Sequence, residues 1–215
     1  ANKGISKGAF AVISGGVGEG KSTTLFNLAY VAAQQGGKVL IVDSDLRRPV
    51  QHKMLGISNE VGLTNVLLGD TSVDKVIKQT EVPNLFFLPS GRLPRASIGV
   101  LDSQKMKSLV STLKARYDVV FFDSPPIMGV SDAAILASEV DGVILVVQYR
   151  KYPKMVSSRA KRLITNVGGN LLGCVLNNIN ILRDDYYYYY HSYYSHYYSG
   201  RDNQPKVQVA RKPEV

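Results

Sequence analysis

The chain has 215 residues, of which 45% are hydrophobic, and it carries a formal net charge of +9. This length is sufficient for one sizeable hydrophobic core, and the apolar runs fall short of the roughly 20 residues that a membrane-spanning helix needs. The single cysteine, Cys174, excludes an internal disulfide framework and fits a reducing cytoplasm. We expect Cys174 to be a small, buried hydrophobic residue in an apolar strand.

Residues 1–8 are predicted to be a flexible lead-in, and residues 9–182 a single domain. Short apolar runs predict strands at 9–14, 38–43, 85–88, 118–123, 142–148 and 171–177. Helical patterns separate them, at 22–35, 62–69, 72–79, 102–115, 131–138 and 153–167. Because the strand runs are nearly continuous rather than alternating, the strands should be buried on both faces. The sequence therefore predicts an α/β fold with a mostly parallel central sheet and helices on both faces.

A glycine-rich stretch joins the first strand to the first helix. Residues 15–22 read GGVGEGKS and match the phosphate-loop pattern G-x-x-x-x-G-K-[ST] in its usual context. Glycines let successive backbone N–H groups surround an anion, and the helix N-terminus adds unpaired donors. The alternative, an ordinary glycine-rich turn, fits eight matched positions less well. The predicted nucleotide-binding residues are Gly16, Val17, Gly18, Glu19, Gly20, Lys21, Ser22 and Thr23.

Two later strands end in aspartate. Asp43 and Asp45 follow the second strand, and Asp123 ends the run VVFFD. Ligands of open α/β sheets bind outside the carboxyl ends of the strands, so the three carboxylates should approach the glycine-rich loop. Mg²⁺ takes oxygen ligands and keeps several waters, so a hydroxyl with nearby carboxylates suits it. For Asp43 and Asp45 the alternative is helix capping, whereas a carboxylate ending the apolar strand at Asp123 requires a charged partner.

The positive charge is concentrated in one part of the chain. No acidic residue lies between Asp141 and Asp184, where seven basic residues occur: Arg150, Lys151, Lys154, Arg159, Lys161, Arg162 and Arg183. In the predicted helix 153–167, most of these face away from the apolar positions. A solvated outer face is the favoured interpretation, and a surface for lipid head groups or an acidic neighbour is the alternative. We expect no nucleic-acid partner.

The composition changes after residue 182. Nine of the thirteen tyrosines lie within 186–198, and serines and histidines separate them. This segment has neither a helical nor a strand period, and no aliphatic residue to anchor a core. We predict that residues 183–215 form a largely disordered, low-complexity tail.

Several motifs together resemble one family. The sequences GEGKST (18–23), VDSDLRRP (42–49), FDSPP (122–126) and VSDA (130–133) are similar to those of the bacterial tyrosine kinases, and so is the tyrosine cluster. Those kinases regulate exopolysaccharide and capsule synthesis. The resemblance covers roughly residues 9–198 and implies a P-loop NTPase-like fold. It also implies an ATP- and Mg²⁺-dependent kinase that phosphorylates its own tyrosine tail, with these acceptors: Tyr186, Tyr187, Tyr188, Tyr189, Tyr190, Tyr193, Tyr194, Tyr197 and Tyr198.

The resemblance also assigns roles to individual residues. Lys21 would contact phosphates, and Ser22 would contact Mg²⁺. Asp123 would be a water-mediated partner of the metal. Asp43 would be the metal-linked residue that takes the tyrosine proton, with Asp45 supporting the site. Asn177 matches the position at which relatives touch the adenine, although a capping asparagine fits nearly as well.

The family's partners follow from the same resemblance. They are neighbouring copies of the chain, possibly in a ring, a membrane-anchored activator, and an opposing phosphotyrosine phosphatase, at the inner face of the plasma membrane. A second hypothesis is a partitioning or positioning ATPase of the deviant-Walker type. Those proteins usually carry a signature lysine five residues before the P-loop lysine, and that position is Gly16 here. A nucleotide-binding scaffold without catalysis is disfavoured, because Lys21, Ser22 and the three aspartates are all present.

Overall fold

A computed structural model describes residues 7–92 and 103–180 of the chain. Residues up to Asn177 belong to one compact unit, and residues from Asn178 onward to a second. The structure describes only 178–180 of the second unit. The predicted tyrosine-rich tail, and the lead-in up to residue 6, lie outside the described residues.

A seven-stranded sheet forms the centre of the first unit. Its strands are β1 (Gly8–Ser14), β2 (Val39–Asp43), β3 (Lys78–Gln79), β4 (Leu85–Leu88), β5 (Val119–Asp123), β6 (Gly142–Gln148) and β7 (Leu171–Asn177). Their order is β3-β4-β2-β5-β1-β6-β7, and every neighbouring pair is parallel except β3 with β4. The predicted mostly parallel sheet is confirmed, and β1, β2 and β5 lie side by side in its interior.

The helices are α1 (Lys21–Gln34), α2 (Gln51–Met54), α3 (Leu63–Leu68), α4 (Val73–Val76), α5 (Ser103–Lys114), α6 (Asp132–Glu139) and α7 (Lys154–Asn166). Two differences from the sequence prediction concern short elements. The helix predicted over 72–79 ends at Val76, because Ile77 is extended and Lys78–Gln79 pairs antiparallel with β4. The four-residue helix α2 was not predicted, since one turn is too short to show a period. No helix among the described residues is long and apolar enough to cross a bilayer.

Each face of the sheet buries a hydrophobic cluster. Neighbouring residues of a strand point to opposite faces, and β1 shows this with Val12 and Ile13. Ile13 belongs to the cluster that includes Leu136 of α6 and Ile164 of α7. Val12 belongs to the cluster that includes Leu25 of α1. Burial on both faces explains the continuous apolar sequences of the central strands.

Cys174 is exposed, so the prediction that it is buried was wrong. It lies in β7, which pairs only with β6 among the described residues and is an edge strand. Leu172 and Leu176 of the same strand are 54% and 38% exposed. An apolar sequence predicts a strand, but it does not distinguish an edge strand from a central one.

Candidate active site

The glycine-rich loop connects the end of β1 to the start of α1 at Lys21. Gly18 and Gly20 have φ angles of 71° and 91°, a left-handed conformation that glycine adopts without steric cost. The loop lines a cavity of about 820 Å³ at the carboxyl edge of the sheet. The side chains of Lys21, Ser22 and Thr23 also line this cavity, which is large enough for a small-molecule ligand.

Three side chains from elsewhere in the chain donate hydrogen bonds to successive carbonyls of this loop. The Tyr152 hydroxyl donates to Val17 O (3.1 Å), and Lys151 Nζ donates to Gly18 O (2.7 Å). Asn177 Nδ2 donates to Glu19 O at 3.0 Å. Asn177 is thus a neighbour of the loop backbone and does not line the cavity, while Lys151 and Tyr152 were not predicted as site residues.

The Glu19 carboxylate is buried and supports the loop from within. Its Oε2 accepts a hydrogen bond from Gly16 N at 2.7 Å, and its Oε1 accepts one from Gln148 N at 3.2 Å. The Gly16 N–H is therefore engaged inside the protein. Among the predicted nucleotide-binding residues, Gly16 and Glu19 therefore stabilise the conformation of the loop through this internal hydrogen bond.

Lys21 lies between two carboxylates. Its Nζ is 3.4 Å from Asp45 Oδ2 and 3.8 Å from Asp123 Oδ1. It is also 3.4 Å from the Ser22 hydroxyl. The Lys21 side chain is only 13% exposed, so its charge is compensated mainly by these carboxylates. The structure brings together Lys21, Ser22, Asp45 and Asp123, as the sequence predicted.

Asp43 and Asp123 are fully buried at the ends of adjacent strands. Burial, together with the neighbouring Asp123 charge, raises the pKa of Asp43 from its ordinary value to about 8. Burial also raises the pKa of Asp123, and Lys21 opposes that effect. Asp43 Oδ2 accepts hydrogen bonds from Val50 N (3.2 Å) and Gln51 N (3.1 Å) at the start of α2. The capping role considered from the sequence is therefore real for Asp43.

Gln51 is a site residue that the sequence analysis missed. Its Nε2 donates to Asp123 Oδ2 and to the Ser22 carbonyl, each at 2.9 Å. The side chain thus links the carboxylate at the end of β5 to the first turn of α1. The sequence shows only a glutamine two residues after Pro49. Its complete burial, which would have marked it as a site residue, cannot be predicted from the sequence.

The residues present fit a Mg²⁺ ion held together with phosphate oxygens. Asp43 Oδ1 and Asp123 Oδ1 are buried oxygens without a hydrogen-bond partner, and the Ser22 hydroxyl is close enough to the Asp123 carboxyl to lower its pKa. No group of three or more His, Cys, Asp or Glu side chains within 7–92 and 103–180 forms a ready-made metal site. A site of this kind would depend on ligand oxygens and waters, as Mg²⁺ sites commonly do.

Residues that follow β2 and β5 also line the cavity. Pro125, Pro126 and Met128 line it after β5, while Arg47 and Arg48 line it after β2. Asp45 is the aspartate of the cluster that lines the cavity, since Asp43 and Asp123 have no exposed surface. The predicted acceptor tyrosines, 186–198, lie outside the part of the chain that the structure describes.

Comparisons with known proteins identify the family of the chain. A family model described as an AAA domain matches residues 7–168. The tyrosine-protein kinase YwqD of Bacillus subtilis is 41% identical over 186 residues, which are 86% of this chain and 75% of that protein. The kinase domain of the Escherichia coli tyrosine kinase ETK superposes with a TM-score of 0.77 at 29% identity, covering 81% of this chain and 69% of that chain.

A further structural neighbour has a different role. The septum site-determining protein MinD of Pyrococcus horikoshii, solved in complex with Mg-ADP, has a TM-score of 0.70 at 27% identity. That comparison covers 82% of this chain and 72% of the MinD chain. The fold is thus the P-loop NTPase fold, which implies nucleotide binding. With the sequence identity to YwqD and the family-model match, the chain belongs to the bacterial tyrosine-protein kinases, enzymes built on the AAA-type P-loop domain.

Proposed function

We propose that this chain is an ATP- and Mg²⁺-dependent autokinase that transfers a phosphoryl group to tyrosines in the tail of a neighbouring copy. The observation that carries the proposal is the position of Lys21, whose ammonium group lies beside Asp45 and Asp123 at the P-loop cavity. Phosphoryl transfer depends mainly on positioning and on neutralising charge. The tyrosine cluster at 186–198 supplies an acceptor other than water.

Lys21 would exchange partners when nucleotide binds. Its ammonium group is within 4 Å of two carboxylates and is not fixed by a short hydrogen bond to either. Entering phosphate oxygens compete for the same charge, so Lys21 can move to them without leaving an unpaired cation. Ser22, Asp43 and Asp123 are the residues that would hold Mg²⁺, which neutralises charge on the phosphates when bound.

Two carboxylates are candidates for the tyrosine proton. Asp43 has a pKa of about 8, closer to the tyrosine pKa of about 10 than an ordinary carboxyl, which favours transfer of the tyrosine proton once the Asp43 carboxyl has lost its own. Asp43 is fully buried, however, and a tyrosine hydroxyl reaches it only if the Val50–Gln51 turn moves. Asp45 lines the cavity without any movement. We assign proton acceptance to Asp43 and support of the site to Asp45, and a comparison of Asp43→Asn with Asp45→Asn tests this order.

The deciding experiment is mass spectrometry of the tail after the full-length protein has been incubated with ATP and Mg²⁺. Phosphotyrosine is expected within 186–198, and the Lys21→Met variant should show none. Lys53→Met is the matched control, because Lys53 is exposed on α2 and does not line the P-loop cavity. A tagged Lys21→Met chain mixed with wild-type enzyme tests transfer between copies. An unphosphorylated tail in the full-length wild-type protein contradicts the proposal.

The likeness to MinD supports a second candidate, a partitioning or positioning ATPase. One local feature favours the kinase. An ideal Cβ on Gly16, the position of the signature lysine in those ATPases, would lie 2.4–2.9 Å from three atoms of the Tyr152 side chain. Residue 16 therefore has no room for a lysine while Tyr152 keeps its position. ATP hydrolysis stimulated by DNA or lipid vesicles, without phosphotyrosine, would favour the ATPase.

The cellular role proposed is regulation of exopolysaccharide or capsule polymerisation and export. A membrane-anchored activator, an opposing phosphatase and a homo-oligomer complete the proposal, with the enzyme at the inner face of the plasma membrane. Each phosphotyrosine adds roughly −1.5 to −2 charge at neutral pH. Successive phosphorylation would therefore change the assembly of the copies, because the phosphorylated tail would be repelled by the anionic nucleotide bound in a neighbouring copy. Light scattering of the full-length protein before and after phosphorylation measures this, and an unchanged assembly size contradicts it.

A further inference from the structure

The loop between β6 and α7 lies against the P-loop through two consecutive side chains. Lys151 Nζ donates to Gly18 O at 2.7 Å, and the Tyr152 hydroxyl donates to Val17 O at 3.1 Å. The Lys151 ammonium is also 5.8 Å from the centroid of the Tyr152 ring. We call these two residues the β6–α7 clamp.

The geometry of the peptide bond gives this contact a consequence for ligand binding. In a trans peptide, the carbonyl of one residue and the N–H of the next point in opposite directions. The clamp holds the carbonyls of Val17 and Gly18, so the N–H groups of Gly18 and Glu19 point away from it. Gly18 lines the cavity, and P-loops bind phosphate through backbone N–H groups of this kind.

Two glycines of the loop, Gly16 and Gly18, leave the space that the clamp side chains occupy. An ideal Cβ on Gly16 would lie 2.4 Å from the Tyr152 ring, and one on Gly18 would lie 2.7 Å from Lys151 Nζ. Real Cβ atoms essentially never approach other atoms this closely. Glycine at 16 and 18 therefore permits the close approach of the clamp as well as the curvature of the loop.

The clamp is accessible to solvent. Lys151 is exposed, and Tyr152 is 37% exposed and lines the cavity. Exposed side chains contribute little to the hydrophobic core, so stabilising the fold is a weak explanation for these contacts. A lysine here also adds positive charge beside a loop that would receive several negative charges.

We propose that Lys151 and Tyr152 are positioning residues for ATP, which hold the P-loop carbonyls so that the backbone N–H groups face the phosphates. The inference rests on the proposed use of this P-loop for ATP. It adds to that function two residues that no P-loop motif contains, from a loop more than 100 residues further along the chain.

The test measures nucleotide affinity and kinetics separately in the full-length protein. Lys151→Met should weaken binding of a fluorescent ADP analogue about fivefold to tenfold, the effect expected from losing one solvent-exposed hydrogen bond of ordinary net strength. KM for ATP should rise by a similar factor, while kcat at saturating ATP changes less than about twofold, because the loop is reordered once ATP is bound. Lys151→Arg should restore most of the affinity. Lys154→Met is the control, since Lys154 is exposed at the start of α7 and does not line the cavity.

Two further measurements separate positioning of the phosphates from other effects. Tripolyphosphate should displace the ADP analogue less well from Lys151→Met than from wild type, because the clamp acts on the phosphate side. Tyr152→Phe keeps the ring and loses only the hydroxyl, so it should weaken binding about twofold to fivefold without lowering Tm.

The outcomes are distinct. Equal affinity of Lys151→Met and Lys154→Met, with wild-type binding intact, overturns the clamp and leaves the kinase proposal standing. A fall in kcat at unchanged KM, or an unchanged tripolyphosphate affinity, also overturns it. A wild-type protein that binds ADP but produces no phosphotyrosine contradicts the kinase proposal alone.

Discussion

Asp43 and Asp123 lie opposite each other in register, at the carboxyl ends of the neighbouring parallel strands β2 and β5. Both side chains are fully buried. Lys21 approaches Asp123 at 3.8 Å, whereas Asp43 accepts hydrogen bonds from backbone N–H groups at the start of α2. The two carboxyl groups repel each other when both are ionised, and a cation bound between them would relieve that repulsion.

Asp43→Asn should stabilise the protein at alkaline pH. The pKa of Asp43 is about 8 in the fold and 3.8 as the ordinary value, so between these values the folded state holds a proton that the unfolded state has released. Stability therefore falls as pH rises through this range, and asparagine removes that loss. We expect a gain of at least about 1 kcal/mol at pH 8–9, roughly 2–4 °C in Tm for a domain of this size.

The advantage of the variant should be smaller at pH 5, which is close to the ordinary carboxyl pKa of 3.8, and it should grow as the pH rises toward 8, because the loss of stability accumulates between the two pKa values. Thermal unfolding across pH 5–9 measures the difference, and activity should be lost throughout. A stability gain that is independent of pH would contradict the argument from the Asp43 pKa.

Gln51→Leu should destabilise the fold and the site together. The substitution keeps the approximate volume and leaves the Ser22 carbonyl and Asp123 Oδ2 without their 2.9 Å donor. Unpaired buried polar groups cost about 1–3 kcal/mol. Chemical denaturation measures this loss, with the exposed Gln79→Leu as the control. If both variants unfold at the same denaturant concentration, Gln51 has no linking role.

Gly16→Ala should be destabilising because of Tyr152. Gly16 does not have a positive φ, so its backbone accepts alanine, but the new methyl group would lie 2.4 Å from a Tyr152 ring atom. Overpacking of this kind costs about 1–3 kcal/mol. In a Tyr152→Ala background the cost should largely disappear, giving a coupling energy of about 0.5–3 kcal/mol in a double-mutant cycle. Additive effects would show that the ring moves away freely.

Cys174 should react with a maleimide reagent in the native protein, because it is exposed in β7. Partial burial and the nearby Glu19 charge raise the pKa of its thiol, so the reaction should accelerate as pH rises above the usual thiol range near 8.5. Labelling that requires denaturant would restore the original expectation of a buried cysteine.

The sequence was sufficient for six of the seven strands and for the P-loop. All six predicted strands are confirmed within one residue, because each is a short apolar run, whereas the two-residue strand β3 is polar and was predicted as part of a helix. The grouping of Lys21, Asp45 and Asp123 also followed from one rule, that ligands bind at the carboxyl ends of parallel strands. These features depend on local patterns or on topology that the patterns imply.

Other features depend on contacts between distant parts of the chain. The link from Gln51 to Asp123 and the contact of Lys151 with Gly18 join residues 72 and 133 positions apart. No sequence pattern around a single glutamine, or around a lysine within a basic run, predicts such a contact. The exposure of Cys174 was missed for a related reason, since the position of β7 at the sheet edge is a property of strand order.

The site rests on strands of unequal local stability. β1, β2 and β5 are interior strands, and their amide hydrogens should exchange with solvent only when the whole domain opens. β7 is an edge strand, and its end carries Asn177, which holds the carbonyl of Glu19. Fraying of that edge can therefore loosen one side of the P-loop while the carboxylates stay assembled. As the temperature rises, the affinity for nucleotide should therefore fall before the arrangement of Asp43, Asp45 and Asp123 is lost.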